Sequence, residues 1–277
     1  MRLTFLGVRG STASPGPDFV RYGGNTSCIA VSGDTGAPDL VLDAGTGLRG
    51  LVRLLDGAAF DGSIVLSHLH WDHMQGLPFC TAVDRDDSVV RVVLPAQDGR
   101  TGTELVAQHM SPPAFPITPD GLRGSWRFDA VDVGPLQVGP YAVTATDVAH
   151  KGGRTFGYRV ERDGRSLGYL PDHAPAAGVS QHTLDTLAGV DLLIHDAQFI
   201  EPERGIADLF GHATIGDAVD LALEVGARTL VLFHHGPGRT DDALDALLTD
   251  LDGHAGRLGA LQVVTPREGD VLPLPRA

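Results

Sequence analysis

The sequence predicts an α/β (α+β) fold, mixed sheets covered by helices, built as one domain over residues 1–277. Two patterns predict it. Short β-branched runs alternate with stretches that carry an apolar face at helical spacing. The apolar runs also end, repeatedly, in a histidine or an aspartate. With 277 residues, 42% of them hydrophobic and 20% charged, the chain can bury a large core. A domain of ~150 residues is the usual size, and no linker argues for a second one.

Each element has its own local reason. Leu3–Leu6, Cys28–Val31 and Leu40–Leu42 read as strands, and Gly47–Leu55 as the first helix, with Leu48, Leu51, Val52 and Leu55 on one face. Ile64–Leu66 is a short buried strand that runs straight into Ser67-His68. Val89–Leu94 and Tyr141–Thr146 are further strands. Thr155–Val160 and Ser166–Leu170 flank Asp163-Gly164, a hairpin signal because that pair accepts positive φ. Leu192–Ile194 precedes His195-Asp196, and Leu230–Phe233 precedes His234-His235. Thr214 with Asp217 makes a capping box ahead of a helix striped by Ile215, Val219, Ala222 and Leu223. Thr240 opens a last helix, with Leu244, Leu247, Leu248 and Leu251 at helical spacing. Pro112, Pro113, Pro116 and Pro119 make Ser111–Gly124 a long surface loop and a candidate lid.

Composition narrows the function classes. The formal net charge is −14, and the pI is near 5.1. A protein that grips nucleic acid by a basic face needs the opposite balance, so nucleic acid is not the expected partner. A small anionic substrate held by a metal stays open. Cys28 and Cys80 cannot form a disulfide framework and read as small core residues, which makes a reducing cytoplasm the expected home. The apolar run at Met1–Gly7 is too short for a signal peptide, and no stretch approaches the ~20 apolar residues that span a bilayer. Oligomeric state is not written in the sequence; a homodimer is the commonest assembly on general grounds.

The sharpest chemical signal is His68-Leu69-His70-Trp71-Asp72-His73, directly after a strand. In an extended segment His68 and His70 project to the same side. Asp72 and His73 fall where the chain turns toward Gln75-Gly76 and reach a neighbouring spot. That arrangement suits two adjacent metal ions better than one, and imidazole with carboxylate is the donor set of Zn²⁺ and similar divalent ions. More donors must arrive from elsewhere. His150, Asp172 and His234 each follow a predicted strand, and polar side chains at strand ends converge on one rim of a sheet. One such residue alone is more often a turn or cap residue; together with the first cluster they suffice for two metals that share Asp172.

His68-x-His70-x-Asp72-His73 followed by His150, Asp172 and His234 resembles the metallo-β-lactamase superfamily and its dinuclear hydrolases, over nearly the whole chain, including the Asp43-Ala44-Gly45-Thr46-Gly47 turn. The resemblance implies a four-layer αββα sandwich with two divalent metal ions at the sheet edge, Zn²⁺ foremost and Mn²⁺ or Fe²⁺ as alternatives. It implies that His68, His70 and His150 hold one ion, that Asp72, His73 and His234 hold the other, and that Asp172 bridges. Leu193-Ile194-His195-Asp196-Ala197-Gln198-Phe199 and Gly211-His212-Ala213-Thr214 resemble two elements of the tRNA 3′-processing endonucleases. There an acidic residue of the first orients a histidine of the second toward the scissile phosphate. Carried over, Asp196 orients His212, and with the ligand Asp72 these are the expected catalytic residues. Asp stands where that family has Glu, and Gln198 where it has Thr.

Arg9-Gly10-Ser11-Thr12, Tyr22-Gly23-Gly24-Asn25-Thr26-Ser27-Cys28 and Phe233-His234-His235-Gly236-Pro237 resemble small cyclic-phosphodiester hydrolases, including those that act on cyclic nucleotides and phosphoribosyl cyclic phosphate. The short span from Asp172 to Ile194 leaves no room for the tRNA-clamping arm. The expected activity is therefore hydrolysis of a small cyclic or nucleotide phosphodiester by a metal-bridging hydroxide, available at neutral pH because coordination lowers the pKa of water. The alternatives are a lactone or thioester hydrolase on the same metals, an RNA-processing endonuclease, and a non-catalytic binding protein. His235 is a supporting or structural residue on this reading. His109, His173, His182 and His254 are ordinary, and Ser67 lacks any acyl-transfer motif around it.

Overall fold

The structure, a computed structural model, describes residues 1–253 and 258–274, so His254 lies outside the described residues. The first half runs β1 (Arg2–Gly7), β2 (Cys28–Ser32), β3 (Leu40–Leu42), α1 (Leu51–Leu54), β4 (Asp61–Val65), α2 (Trp71–Met74), β5 (Val89–Pro95), α3 (Gly102–Ala107) and β6 (Ser125–Val131). The second half runs β7 (Gly134–Val138), β8 (Tyr141–Val148), β9 (Thr155–Arg162), β10 (Arg165–Leu170), α4 (Gln181–Leu187), β11 (Leu192–Asp196), α5 (Arg204–Phe210), α6 (Ile215–Glu224), β12 (Thr229–Phe233), α7 (Asp241–Gly253), β13 (Gln262–Val264) and β14 (Val271–Pro273).

The strands form two seven-stranded sheets, ordered β14-β1-β2-β3-β4-β5-β6 and β13-β12-β11-β10-β9-β8-β7. Alternation along each strand explains why they stack. Leu3 and Phe5 of β1, Ile29 and Val31 of β2, and Val231 and Phe233 of β12 turn into the core between the sheets. Cys28 and Ala30 turn outward beneath the helical turns of the first half, and Leu230 and Leu232 turn outward under α6. Both faces of each sheet are covered, which gives the expected α-β-β-α layering.

Asp163 and Gly164 take left-handed φ of 54° and 70° in the expected hairpin turn between β9 and β10. Thr214 and Asp217 make the expected capping box, and the Thr240 hydroxyl accepts from the Ala243 amide at the start of α7. The helix expected at Gly47–Leu55 is instead a 3-10 turn, Thr46–Gly50, followed by the single α turn of α1. The chain there is pressed against β1: a Cβ on Gly47 would lie 2.5 Å from the Leu6 carbonyl oxygen. β6, β7, β13 and β14 escape sequence reading because all four are at least half-exposed and two are three residues long.

β10, β11 and β12 are parallel, with Leu170 opposite His195 and Asp196 opposite Phe233. Their C-terminal ends therefore share one edge of the second sheet, where open α/β sheets build sites. Among the described residues no helix is long and apolar enough to cross a membrane.

Candidate metal centre

Residues 66–70 lead from β4 to α2, and His70 is extended (φ −67°, ψ 150°) where it caps that helix. Asp72 and His73 lie inside that helical turn. The switch from extended to helical backbone sends the two pairs of side chains to neighbouring points, as the spacing suggested.

Two donor sets result: His68, His70, His150 and Asp172, and beside them Asp72, His73 and His234. A divalent ion held tetrahedrally at roughly 2.0–2.1 Å keeps its donor atoms about 3.3 Å from one another. In the first set His150 Nε2 lies 3.3 Å from His70 Nδ1 and 3.2 Å from Asp172 Oδ2, and His68 Nε2 lies 3.5 Å from that same oxygen. In the second, His73 Nε2 and His234 Nε2 are 3.2 Å apart, and each is 3.2 Å from Asp72 Oδ2. Asp172 Oδ1 joins this set at 3.2 Å from His73 Nε2 and 3.0 Å from His234 Nε2. One carboxylate thus turns an oxygen to each set.

His73 and His150 turn Nδ1 to Asp43 and to the Gly211 carbonyl, so that in the neutral rings Nε2 is an unprotonated nitrogen facing the carboxylates. His68 Nε2 and Asp172 Oδ1 are buried without a hydrogen-bond partner, and buried polar atoms are seldom left so. The charges agree. Burial opposes ionisation of Asp72 and Asp172, yet surrounding imidazoles, His73 and His234 foremost, hold both carboxyls far below their ordinary range. Burial pulls His73 down, but Asp172, Asp72 and Asp43 together hold it well above a normal histidine. Burial lowers His68. Carboxylates held ionised at such depth, beside His68, His70 and His150 that burial keeps from protonation, fit divalent cations, and the residues present fit two.

The surrounding contacts fix the rings. Asp43, fully buried, accepts from His73 Nδ1 at 2.7 Å, from the Tyr169 hydroxyl at 2.7 Å, and from the Ser67 hydroxyl and amide at 2.8 and 2.7 Å. His150 Nδ1 donates to the Gly211 carbonyl at 2.7 Å, which leaves Nε2 for the cluster. The Ser11 amide donates to Asp72 Oδ2 at 2.7 Å. Ser11, Asp43 and His234 all have positive φ, near 62°, 55° and 56°. Strained backbone gathered at three points of one site is the pattern of a functional region. A Cβ on Gly10 would stand 2.2 Å from His234 Nδ1, so only glycine lets the loop after β1 come this close.

His212 stands at the mouth of the cluster, its ring centroid 4.9 Å from that of His150 and stacked 5.2 Å from that of His234. Its Nδ1 donates to Asp196 Oδ2 at 2.9 Å. The shorter Asp side chain is compensated by its position at the end of β11. Asp196 also accepts from the amides of His173, Gln198 and Ala213, which hold it still. Burial opposes protonation of His212, but Asp196 wins and raises it to about 9. His212 also lies within ligand range of Asp172 and His234, and with Nδ1 committed to Asp196 it offers Nε2 to the cluster.

The other histidines serve the frame. His173 Nδ1 donates to His195 Nε2 at 3.0 Å, and His195 Nδ1 donates to the Asp196 carbonyl. His109 accepts from the Trp71 indole, and His182 is exposed on α4. His235 is buried between Arg9 and Arg239; burial first, then those cations, brings it to about 3, so it is neutral and outside the cluster. Arg9 ties the loops together, bonding the Gly23 and Arg239 carbonyls and Asp241. Cys28 and Cys80 are both buried.

The donors open into a cleft of about 640 Å³. Its lining brings together His70, His150 and His212 with Ser11, Gln198 and Arg239, and with apolar side chains from β11's exit and α5. None of Ser111–Gly124 lines it. That loop instead packs by Ala114 and Phe115 around a separate apolar pocket with Trp71 and Met74. Sequence reading missed Asp43 as the support of His73, and the α5 wall altogether.

Residues 39–235 match the β-lactamase superfamily domain. The chain is 26% identical to a ribonuclease Z of Haloarcula marismortui, over 84% of this chain and 86% of that one. It is similar in structure to the metallo-β-lactamase fold protein YhfI from Bacillus subtilis (TM-score 0.72, 20% identity, 98% of this chain and 99% of that one). It is similar also to a diphosphatase from the PhnP family (TM-score 0.72, 17% identity, 99% of this chain and 98% of that one). With the domain spanning well over half of the sequence and the layered sheets presenting its metal edge, the chain belongs to the β-lactamase superfamily.

Proposed function

We propose that this metal-dependent hydrolase cleaves a small cyclic or nucleotide phosphodiester. The observation that carries the reading is His212, its Nδ1 anchored by Asp196 Oδ2 at 2.9 Å, at the mouth of the cluster. His68, His70, His150 and Asp172 would hold one divalent ion, and Asp72, His73, His234 and Asp172 the other. When bound, such a pair supplies Lewis acidity and hydroxide at neutral pH; Zn²⁺, Mn²⁺ and Fe²⁺ all suit the donors.

The chain's own groups do the rest. Asp43, the Gly211 carbonyl and the Ser11 amide hold His73, His150 and Asp72 in place, so the site needs little reorganisation. His212 Nε2 faces the cleft with a proton to give. It stabilises charge that builds on a phosphate oxygen, or protonates the departing alkoxide. A thioester expels a thiolate that leaves without a proton, so a poised donor has less use there; a lactone expels an alkoxide, and the assay below separates it from the phosphodiester.

Substrate size follows from the lining. Among the described residues the one permanent cation in the cleft is Arg239, already paired with Glu203 at 2.5 Å. Between His150 and β11 the chain is a tight hairpin and one seven-residue helix, with no projecting arm. Both features favour a small diester. The second reading, an RNA endonuclease, is favoured by the similarity to ribonuclease Z.

The test is elemental analysis of the purified protein together with turnover of bis(p-nitrophenyl) phosphate, 2′,3′- and 3′,5′-cyclic nucleotides, an acyl-homoserine lactone and a precursor tRNA. Cyclic nucleotide turnover with two metals per chain supports the proposal. Exclusive turnover of the lactone, or of the tRNA, sinks it.

A further inference from the structure

Helix α5 keeps large apolar side chains in water: Ile206 is 49%, Leu209 61% and Phe210 56% exposed. Ile206 and Phe210 are four residues apart and share a face. That face, with Phe199 and Pro237, lines the same 640 Å³ cleft as His70, His150 and His212.

The wall is tied to the metal cluster. Gly211, the left-handed residue that closes α5, gives its carbonyl to His150 Nδ1. The Leu209 carbonyl accepts from Lys151 Nζ. The Phe199 ring centroid lies 6.0 Å from that of His212. At its other end α5 is held by Glu203, which pairs with Arg239 from the loop after β12. Apolar surface and phosphate-facing histidine are therefore presented together, by α5 and the turn that closes it.

We propose that this wall receives a nucleobase, so that the substrate is a nucleotide whose heterocycle lies against Phe199 and Phe210 while its phosphodiester meets His212. The inference rests on the phosphodiesterase reading and narrows it. A sugar phosphate without a base would leave the apolar face wet. A long acyl chain would need apolar lining throughout, whereas Ser11, Gln198, Glu203 and Arg239 make the remainder polar. A polynucleotide would need a basic track, and the cleft has none among its described residues. A flat heterocycle with one polar edge satisfies both halves. Stacking on an aromatic side chain is typically worth about tenfold or more in binding.

The experiment compares 2′,3′-cyclic AMP with base-free glycerol 1,2-cyclic phosphate on the metal-loaded protein, in wild type, in Phe210→Ala, and in Leu209→Ala, whose side chain does not line the cleft. Wild type is expected to favour the nucleotide in kcat/KM. Phe210→Ala should lower that preference about tenfold, through KM, while Leu209→Ala keeps it. Equal efficiency on both substrates, or a preference that survives Phe210→Ala, overturns the wall and leaves the phosphodiesterase standing. If neither diester is turned over, the phosphodiesterase reading falls and calorimetric titration with AMP decides the wall by itself. Tenfold weaker binding to Phe210→Ala supports it; equal affinity, or no binding to either protein, overturns it.

Discussion

Replacing His212 with alanine removes the imidazole that faces the cluster while its other nitrogen is held elsewhere. Nδ1 is bonded to Asp196, so only Nε2 is free to meet a substrate. The carboxylate is not stranded by the change, because the amides of His173, Gln198 and Ala213 still donate to it. The fold should lose about 1–3 kcal/mol, the worth of one charge-assisted bond. Loss of proton transfer to the leaving group typically costs ~10² to 10⁴ in rate, or about 3–5 kcal/mol of barrier.

Leaving-group chemistry separates this role from a structural one. A ribose alkoxide needs a proton as it departs, whereas p-nitrophenolate leaves without one. His212→Ala should therefore cut kcat on a 2′,3′-cyclic nucleotide by that factor and spare bis(p-nitrophenyl) phosphate far more. The pH profile gives a second readout. Asp196 keeps His212 protonated up to about 9, and cations bound at the neighbouring donors can only pull that value down. Wild-type kcat should fall as pH rises through a point at or below 9, and the variant should lose that limb. An equal drop on both substrates would refute proton donation. Loss of a metal equivalent would show His212 to be a ligand.

Asp43→Asn removes the charge behind His73 and should weaken metal binding 10- to 100-fold, read by competition with a chromophoric chelator; unchanged affinity would free Asp43 of that role. Gly10→Ala places a Cβ 2.2 Å from His234 Nδ1 and should cost one of two metal equivalents in elemental analysis, a result that retention of both would contradict. The Asp217 carboxyl sits below its ordinary range: burial opposes this, but the Thr214 amide and Arg204 outweigh it. Its contribution is present above the unfolded value near ~3.9 and is lost as pH falls through the lower folded value. Asp217→Asn should thus cost ~0.5–2 kcal/mol at neutral pH, and the gap in Tm should close in strong acid. A gap that persists there would assign the effect to packing.

The donors are legible in the sequence because few residue types can hold a divalent ion and because strands announce their own ends. Val65, Val148, Leu170 and Phe233 are the last residues of their strands or of an apolar run, and a donor stands one to three residues past each. Parallel pairing of β10, β11 and β12 then brings Asp172, Asp196 and His234 to one edge without further instruction. Asp43 is different. An aspartate in a glycine-rich turn has many uses, and what makes it the anchor of His73 is a triple contact, with His73 itself, with Tyr169 of β10 and with Ser67 of the loop after β4. α5 is harder still. Its apolar residues neither repeat as a core stripe nor cluster as a motif, and they meet the cleft through contacts distant in sequence, Gly211 with His150 and Glu203 with Arg239. The proline-rich loop shows the converse: composition identified a loop, but which pocket it borders depends on where Trp71 lies after α2 begins. Catalytic groups are chosen for what they are, and substrate-reading groups for where the backbone puts them. A change in chemistry should therefore track substitutions at strand ends, and a change in substrate should track substitutions on α5.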